Sequence, residues 1–356
     1  MSEEIIVDWE VARDVSTEAL VKAGVPEAHA AIQVDLLIEA DLRGRASHGL
    51  QRLPRIIERI RNGVLNPATT GSAVWVQQSF LQIDGESGLG PVVGFSALQQ
   101  VTSRARDTGI AIAAISNNNH LGMLALYAER VAQAGQILIA LTTSEALVHP
   151  WGGREAMLGT NPISIGVPAK PLPFVLDMAT SLVSMGQIHD HANRNQPIDP
   201  GWALDANGDP TVDAIAARDG ALAPFGGAKG YALGLSFELL VAALTGSALG
   251  KHVKGTLDTV HPCNKGDIFI VIEPGSHGVA DALTAYLDDI RLSAPSFPGK
   301  SVAIPGDRAH MQRAANIENG ISVASKVWGG ICELAGCDAE VGAIEACRSS
   351  TIGRQL

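Results

Sequence analysis

The sequence predicts an α/β protein of the α+β kind, in which a helical domain drawn from both chain ends accompanies one domain built on a mixed or antiparallel sheet. Three observations carry this. Apolar residues recur at helical spacing through residues 8–62. Short apolar runs of strand composition alternate with helices between about 74 and 295, through irregular and often helix-free connections. Helical patterns then return toward the C-terminus. No regular strand–helix–strand repeat is visible, which argues against a doubly wound parallel sheet. The expected division is 1–73 for the N-terminal helices, 74–295 for the α/β domain and 296–356 for C-terminal helices that pack back on the first segment.

In chain order, "STEALVKAGVPEAHAAIQVDLLIEADLRG" offers Ser16 as an N-cap and breaks at "GVPEAHA", where Pro26 suits a first turn. "HGLQRLPRIIERIRNG" continues as helix and stops at Gly63. "VWVQQSFLQI", 74–83, has strand composition, and "VVGFSALQQVTSRARDTG" is a helix. "IAIAAIS" and "QILIALTTS" are buried strands on either side of a loop and helix, "NNNHLGMLALYAERVAQAG". "NPISIGVP", "PFVLDMATS" and "GDIFIVIEP" are further strands; "AKGYALGLSFELLVAALTGSALG" and "DALTAYLDDIRL" are helices. "AHMQRAANIENG" and "VASKVWGGICELAG" are the C-terminal helices.

Composition narrows the function. The 356 residues are 46% apolar and 18% charged, so the chain can fill large cores. The net charge of −11 and the absence of any basic run speak against nucleic acid or an anionic membrane as partner. Cys263, Cys332, Cys337 and Cys347 show no paired C-x-x-C spacing, so reduced thiols are expected rather than zinc. "MSEEIIVDWE" is acidic where a signal peptide is basic, and no window reaches about 18 uninterrupted apolar residues. A cytoplasmic protein is expected.

Five short motifs carry possible chemistry. In "GRASHGLQRLPR", Ser47 and His48 precede Arg52 by about one helical turn. Histidine exchanges a proton near neutral pH, and a guanidinium fork grips a carboxylate. Taken alone, the same residues read as a helix cap and a surface position. "NNNHLGML" places His120 and Gly122 after a buried strand, a common site location, or a polar turn capping the next helix. "LGTNPISIGVPA" and "FVLDMATS" bring Thr160, Asp177, Met178 and Ala179 to strand ends. "PFGGAKGYALG" surrounds Lys229 and Gly230 with glycines at a helix start, where backbone N–H groups, the helix dipole and the ammonium favour an anion. "IPGDR" puts Gly306, Asp307 and Arg308 in a turn. No G-x-G-x-x-G or Walker pattern stands between a strand and a helix. "HDHANRN" has the alternation of a metal site without a convincing third ligand, so no metal is expected.

Together, "RGRASHGLQRLP", "NNNHLG", "GTNPISIGVPA", "LDMATS", "GWALDANGDPT", "GGAKGYALGLSFELL" and "IPGDR" resemble, in order, the type-2 malate/L-lactate dehydrogenases over about residues 10–325. That family also holds ureidoglycolate, sulfolactate and diketogulonate oxidoreductases and reductases of piperideine-2-carboxylate. The resemblance implies a non-Rossmann NAD(P)-binding domain, a helical domain from both ends, and a homodimer with sites near the subunit interface. It implies His48 as acid/base residue, Ser47 as its neighbour, and Arg52 on the substrate carboxylate. It implies His120, Gly122, Ser144, Thr160, Asp177, Met178, Ala179, Lys229, Gly230, Gly306, Asp307 and Arg308 at the cofactor; NAD or NADP is expected, with NAD slightly preferred. Some members assign the proton-acceptor role to the histidine matching His120, so both histidines stand as candidates. Ile56 stands where many hydroxy-acid members have Tyr, and Gln187 where Lys is frequent. The expected reaction is hydride transfer between nicotinamide and C2 of a small 2-hydroxy or 2-oxo acid; reduction of a cyclic imine carboxylate is the alternative.

Overall fold

The computed structural model describes residues 4–275, 280–297 and 299–342. They form two compact units, one of residues 55–308 and one of the two chain ends, up to 54 and from 309 onward. The division falls at 54/55 and 308/309, not at 73/74 and 295/296. Two contacts explain the shift. Arg59, late in the helix Leu53–Arg61, is buried and bonds Asn119 Oδ1 at 3.1 Å. The helix Ala280–Leu292 is held to the loop before the strand Phe174–Met178, with Lys170 N donating to Thr284 Oγ1 at 2.9 Å.

In the chain-end unit, the strand Glu4–Val7 pairs antiparallel with Ile321–Ala324, a pairing the sequence reading missed. The helix Trp9–Lys22 is capped by Asp8, whose carboxylate accepts from the backbone of Glu10 and Val11 at 2.9 and 3.0 Å. Ser16, expected to be that cap, is instead buried inside the helix. Pro26 is the residue before the helix Glu27–Leu42 rather than in its first turn. The helix Ser325–Ala335 buries Trp328, Ile331 and Cys332 and ends at Gly336 in left-handed conformation, φ +71°. Cys347 lies outside the described residues.

The larger unit is organised by a seven-stranded sheet in the order Ser72–Gln77, Phe80–Asp84, Ile110–Ser116, Asp267–Ile272, Ile137–Thr142, Ile163–Val167, Phe174–Met178. Only Phe80–Asp84 with Ile110–Ser116 is parallel, and the helix Gly90–Thr108 makes that crossover. The other pairs are antiparallel. The stretch 74–83, expected as one strand, folds into a hairpin that turns at 78–79. Strand composition marks the residues that pair and is silent on a tight turn lacking Gly, Asn or Pro. Asp267–Ile272 enters between strands adjacent in sequence; four of its six residues are buried, as an apolar run walled on both faces requires.

A second sheet of three two-residue strands, Ala203–Leu204, Pro210–Thr211 and Ala221–Leu222, was also missed. It covers a separate apolar cluster of Val148, Leu158, Ile188, Ile198 and Leu222. "HDHANRN" lies on the helix Met185–Asn193 rather than on a loop. Gln187 and Ser184 form its capping box, each side chain bonding the other's backbone N–H at 3.2 Å. The residue that departs from the family pattern thus has a local structural task.

The candidate active site

Ser47, His48 and Arg52 belong to the chain-end unit, on two successive 3-10 turns, Ala46–His48 and Leu50–Arg52. They are not on the continuous helix expected from "HGLQRLPR". The turns are tied together by side chains. Ser47 Oγ lies 2.9 Å from His48 Nδ1, and Arg52 Nε donates to the Ser47 carbonyl at 2.6 Å. Burial pushes the His48 imidazole down to about 3, and the Arg52 and Arg45 guanidinium groups add repulsion. His48 is therefore neutral at pH 7 before any anion arrives.

Beneath this turn is Asp41, buried near the end of Glu27–Leu42. Its carboxylate accepts from Leu50 N at 2.7 Å, and burial raises it to about 7 against that stabilising bond. Glu39 on the same helix is held by Arg43 at 3.1 Å and Arg313 at 2.6 Å. Burial alone would raise its carboxyl, but the two guanidinium groups keep it below its ordinary range.

On the larger unit, the loop 117–122 is fixed by a buried polar scaffold. Asn118 Nδ2 donates to Asp267 Oδ2 at 3.1 Å, and Asp267 also pairs with the fully buried Lys265 and accepts from Thr142 Oγ1 at 2.5 Å. Asn119 Nδ2 donates to the Ser87 and Gly88 carbonyls at 2.7 and 2.8 Å. The next residue, His120, accepts from Gly122 N at Nδ1, 2.9 Å, with Gly122 at φ +78°. A neutral His120 thus carries its proton on Nε2 and acts there as a donor. Asp177 Oδ2 accepts from Ala125 N at 2.7 Å, joining the strand Phe174–Met178 to the start of the helix Ala125–Gln133. The sequence pointed to His120 and Asp177 but not to Lys265, Asp267, Asn118 or Arg59. The only trace of the buried pair was two opposite charges two residues apart in "NKGDIFIV".

The expected cofactor residues at the other strand ends do come together. Ser144 Oγ is 3.3 Å from Thr160 Oγ1 and accepts from Thr160 N at 3.0 Å. Thr180, just past Met178 and Ala179, donates to the Thr160 carbonyl from both N and Oγ1, at 2.8 and 2.9 Å. Phe225 N donates to the Thr180 carbonyl at 3.1 Å, bringing "LDMATS" against the glycine loop. There Gly226 and Gly227, at φ +59° and +62°, lead into the helix Ala228–Thr245, with Lys229 exposed in its first turn. Gly230 packs so closely on the Phe225 carbonyl that no Cβ fits. Among the described residues, the buried Ser181 hydroxyl beside this group has no hydrogen-bond partner. Hydroxyls, a helix N-terminus, an ammonium and an unpartnered serine suit the oxygens of a pyrophosphate.

Asp307 is engaged elsewhere: its carboxylate takes Arg291 at 2.8 and 3.0 Å and Ile304 N at 3.1 Å. Gly306 precedes it at φ +98°. On the metal-like stretch, His191 Nδ1 lies 2.8 Å from the Pro197 carbonyl and its ring meets Trp202 edge-on. Among the described residues no group of three or more His, Cys, Asp or Glu side chains is placed to hold a metal ion.

The chain-end unit thus offers an imidazole beside a guanidinium, and the larger unit offers hydroxyls and a helix start suited to anionic oxygens. The malate/L-lactate dehydrogenase family pattern matches residues 7–332, and the chain belongs to that family of enzymes. It is 34% identical over 331 residues to the malate/(S)-sulfolactate dehydrogenase of Methanothermus fervidus, covering 93% of this chain and 97% of that one. It is 30% identical over 334 residues to a Δ1-pyrroline-2-carboxylate reductase of Burkholderia ambifaria, covering 93% and 98%. The crystal structure of a dehydrogenase from Sinorhizobium meliloti superposes with a TM-score of 0.91 at 52% identity, covering 94% of this chain and 99% of the other.

Proposed function

We propose that the protein transfers a hydride between NAD or NADP and C2 of a small 2-hydroxy or 2-oxo carboxylic acid of the malate or sulfolactate type. The observation that carries this is the Ser47–His48–Arg52 turn, in which one hydrogen-bonded unit holds a neutral imidazole beside a guanidinium. Arg52 binds the substrate carboxylate, while its Nε bond to the Ser47 carbonyl keeps the turn in shape. With Nδ1 facing Ser47, proton exchange falls to Nε2 of His48. In oxidation His48 accepts the hydroxyl proton. In reduction His48 must first take up a proton from solvent, against its burial and with the repulsion of Arg52 and Arg45 offset by the incoming carboxylate, and then gives that proton to the oxygen that forms at C2. His120, a donor at Nε2, serves as a hydrogen-bonding group.

Ser144, Thr160, Ser181, Lys229 and the start of Ala228–Thr245 hold the dinucleotide phosphates; when bound, the nicotinamide supplies or accepts the hydride. This mode needs no doubly wound parallel sheet, in keeping with the mostly antiparallel order of the strands. NAD is placed ahead of NADP, with Arg308 as the residue to probe at the ribose 2′ position. A homodimer is part of the proposal, supported by Ala228–Thr245, an 18-residue helix of mean hydropathy 1.2 with only 22% of it buried. By length and composition that helix would also satisfy a membrane span, although Lys229 and Glu238 interrupt it. A cytoplasmic location is proposed on the free thiols of Cys263, Cys332 and Cys337.

A second reading keeps the coenzyme and changes the bond: a cyclic imine carboxylate is reduced at C=N. Ile56, half-buried in Leu53–Arg61 and lacking a hydroxyl, favours it, as does the reductase relative. A panel of 2-oxo acids and cyclic imines, each assayed with NADH and NADPH, separates the readings. Turnover of malate- or sulfolactate-type substrates alone supports the first; turnover of imines alone replaces it with the second.

A further inference from the structure

We propose that Asp41 is a positioning residue for the His48–Arg52 turn, acting as the fixed point that sets the imidazole and the guanidinium relative to each other. The inference rests on the functional reading of His48 and Arg52 above.

The junction between their two 3-10 turns is Gly49, extended at φ −92° and ψ −155°. This backbone is open to any residue, so conformational freedom is not what requires glycine here. The requirement is space. A Cβ on Gly49 would collide with the Asp41 carboxylate, which is pressed against it. The same carboxylate receives Leu50 N at 2.7 Å, the first N–H past the junction. Asp41 therefore touches the chain between the turn that carries His48 and the turn that carries Arg52.

Asp41 is itself firmly seated. It is 7% exposed, and its carbonyl receives Gly44 N at 2.9 Å and Asn316 Nδ2 at 3.2 Å. Asn316 also donates to the Leu42 carbonyl at 3.0 Å, so the C-terminal helix steadies the end of Glu27–Leu42. Burying a carboxylate near a helix C-terminus is unfavourable by desolvation and by dipole. No salt bridge of Asp41 offsets this among the described residues. Its side-chain hydrogen bond runs to the candidate catalytic turn.

The test uses Asp41→Ala, Asp41→Asn, Gly49→Ala and the Asp41→Ala/Gly49→Ala double variant of the full chain. Asp41→Asn keeps an oxygen for Leu50 N and should retain turnover within a few-fold. Asp41→Ala and Gly49→Ala should each lower kcat by about 10²-fold, as displacement of a reacting group does, with little change in coenzyme KM. The double variant should be no worse than Asp41→Ala, because shortening residue 41 makes room for the new methyl. Fully multiplicative losses overturn the proposal, as do losses that track melting temperature instead of kcat.

A second readout needs no substrate. In the histidine NMR spectrum, Asp41→Ala should move the His48 resonance, while Asp41→Asn should not. An unmoved His48 in Asp41→Ala overturns the proposal whatever the turnover. Failure of the functional reading looks different: the wild type turns over nothing on the panel, or His48→Ala stays active.

Discussion

Ser47 Oγ stands 2.9 Å from Nδ1 of His48 while the Ser47 carbonyl receives Arg52 Nε at 2.6 Å. One serine therefore orients both proposed reacting groups, the imidazole through its hydroxyl and the guanidinium through its backbone. Replacing the side chain separates these two tasks. Ser47→Ala should leave Arg52 in place and release the ring. We expect kcat to fall by roughly 10–100-fold, the range for groups that orient a reacting side chain, with substrate KM nearly constant. His48→Ala should cost more, about 10²–10⁴-fold. Steady-state kinetics of the two variants decides this, and equal losses would refute the ordering role of Ser47.

Half-buried His48 and buried Asp41 impose opposite pH dependences on stability. Folded His48 takes a proton only near pH 3, whereas the unfolded chain protonates it near 6.5. The unfolded state thus holds the extra proton in that interval, and the stability contributed by neutral His48 drains away as pH falls from 6.5 toward 3. Folded Asp41 titrates at about 7 against an ordinary 3.8, so the folded state holds the extra proton between those values. Its contribution is complete below 3.8 and declines as pH rises through 7. Asp41→Asn removes only this second effect. Its stability relative to wild type should grow between pH 4 and 7, by at most about 1.4 kcal/mol per pH unit. Urea unfolding at three pH values measures it; a pH-independent difference would refute the assignment.

Lys265 and Asp267 form an ion pair buried beneath the loop that leads to His120, with Thr142 and Asn118 completing the bonds of the carboxylate. Lys265→Met leaves that carboxylate without its cation, and we expect a loss of about 3–5 kcal/mol. Asp267→Asn in the same background should recover part of it, since the amide keeps an oxygen for Thr142 without the unpaired charge. Chemical denaturation of both variants checks this. A single variant as stable as wild type would show that the pair contributes nothing.

Periodicity made the helices and most sheet strands legible, because burial against one face leaves a pattern. It failed where a local bond decides. Asp8 rather than Ser16 caps the first helix, because its carboxylate accepts the backbone N–H groups of Glu10 and Val11 while Ser16 is buried inside Trp9–Lys22. The hairpin at 78–79 and the two-residue strands around Ala203–Leu204 bury too few side chains to leave a period. Lys229 stood out because a glycine-rich helix start beside an ammonium suits an anion, whereas Ser144 and Thr160 are implied only by the family resemblance. Asp41 and Lys265 were not, since nothing in a sequence tells a buried charge from an exposed one.

The glycine loop before Ala228–Thr245 puts Lys229 at an exposed helix start, just after a loop that Phe225 N ties to the Thr180 carbonyl at 3.1 Å. If Lys229 meets a coenzyme phosphate, Lys229→Ala removes one charge-assisted hydrogen bond, worth about 1.5–3 kcal/mol. Coenzyme KM should rise by roughly 10–100-fold while kcat at saturation changes little. The effect should also shrink at high salt, because the contact is exposed and screened. Coenzyme titration followed by nicotinamide fluorescence gives the affinity directly, and unaltered binding would remove Lys229 from the cradle.

The same helix presents Leu233, Leu239 and Leu240 at 39%, 52% and 43% exposure, in a segment whose apolar residues run all round. A helix apolar on every face is ordinarily covered on every face, and a second copy of the chain is the proposed cover. Leu239 and Leu240 touch no catalytic group in the proposed mechanism, so their replacement tests assembly separately from chemistry. Leu239→Glu with Leu240→Glu brings four added charges, two from each subunit, to a symmetric interface. Sedimentation at micromolar concentration should then report a mass near one 37.1 kDa chain where the wild type reports two. A wild-type monomer, or a double variant that still sediments as a dimer, would place the interface elsewhere or exclude it.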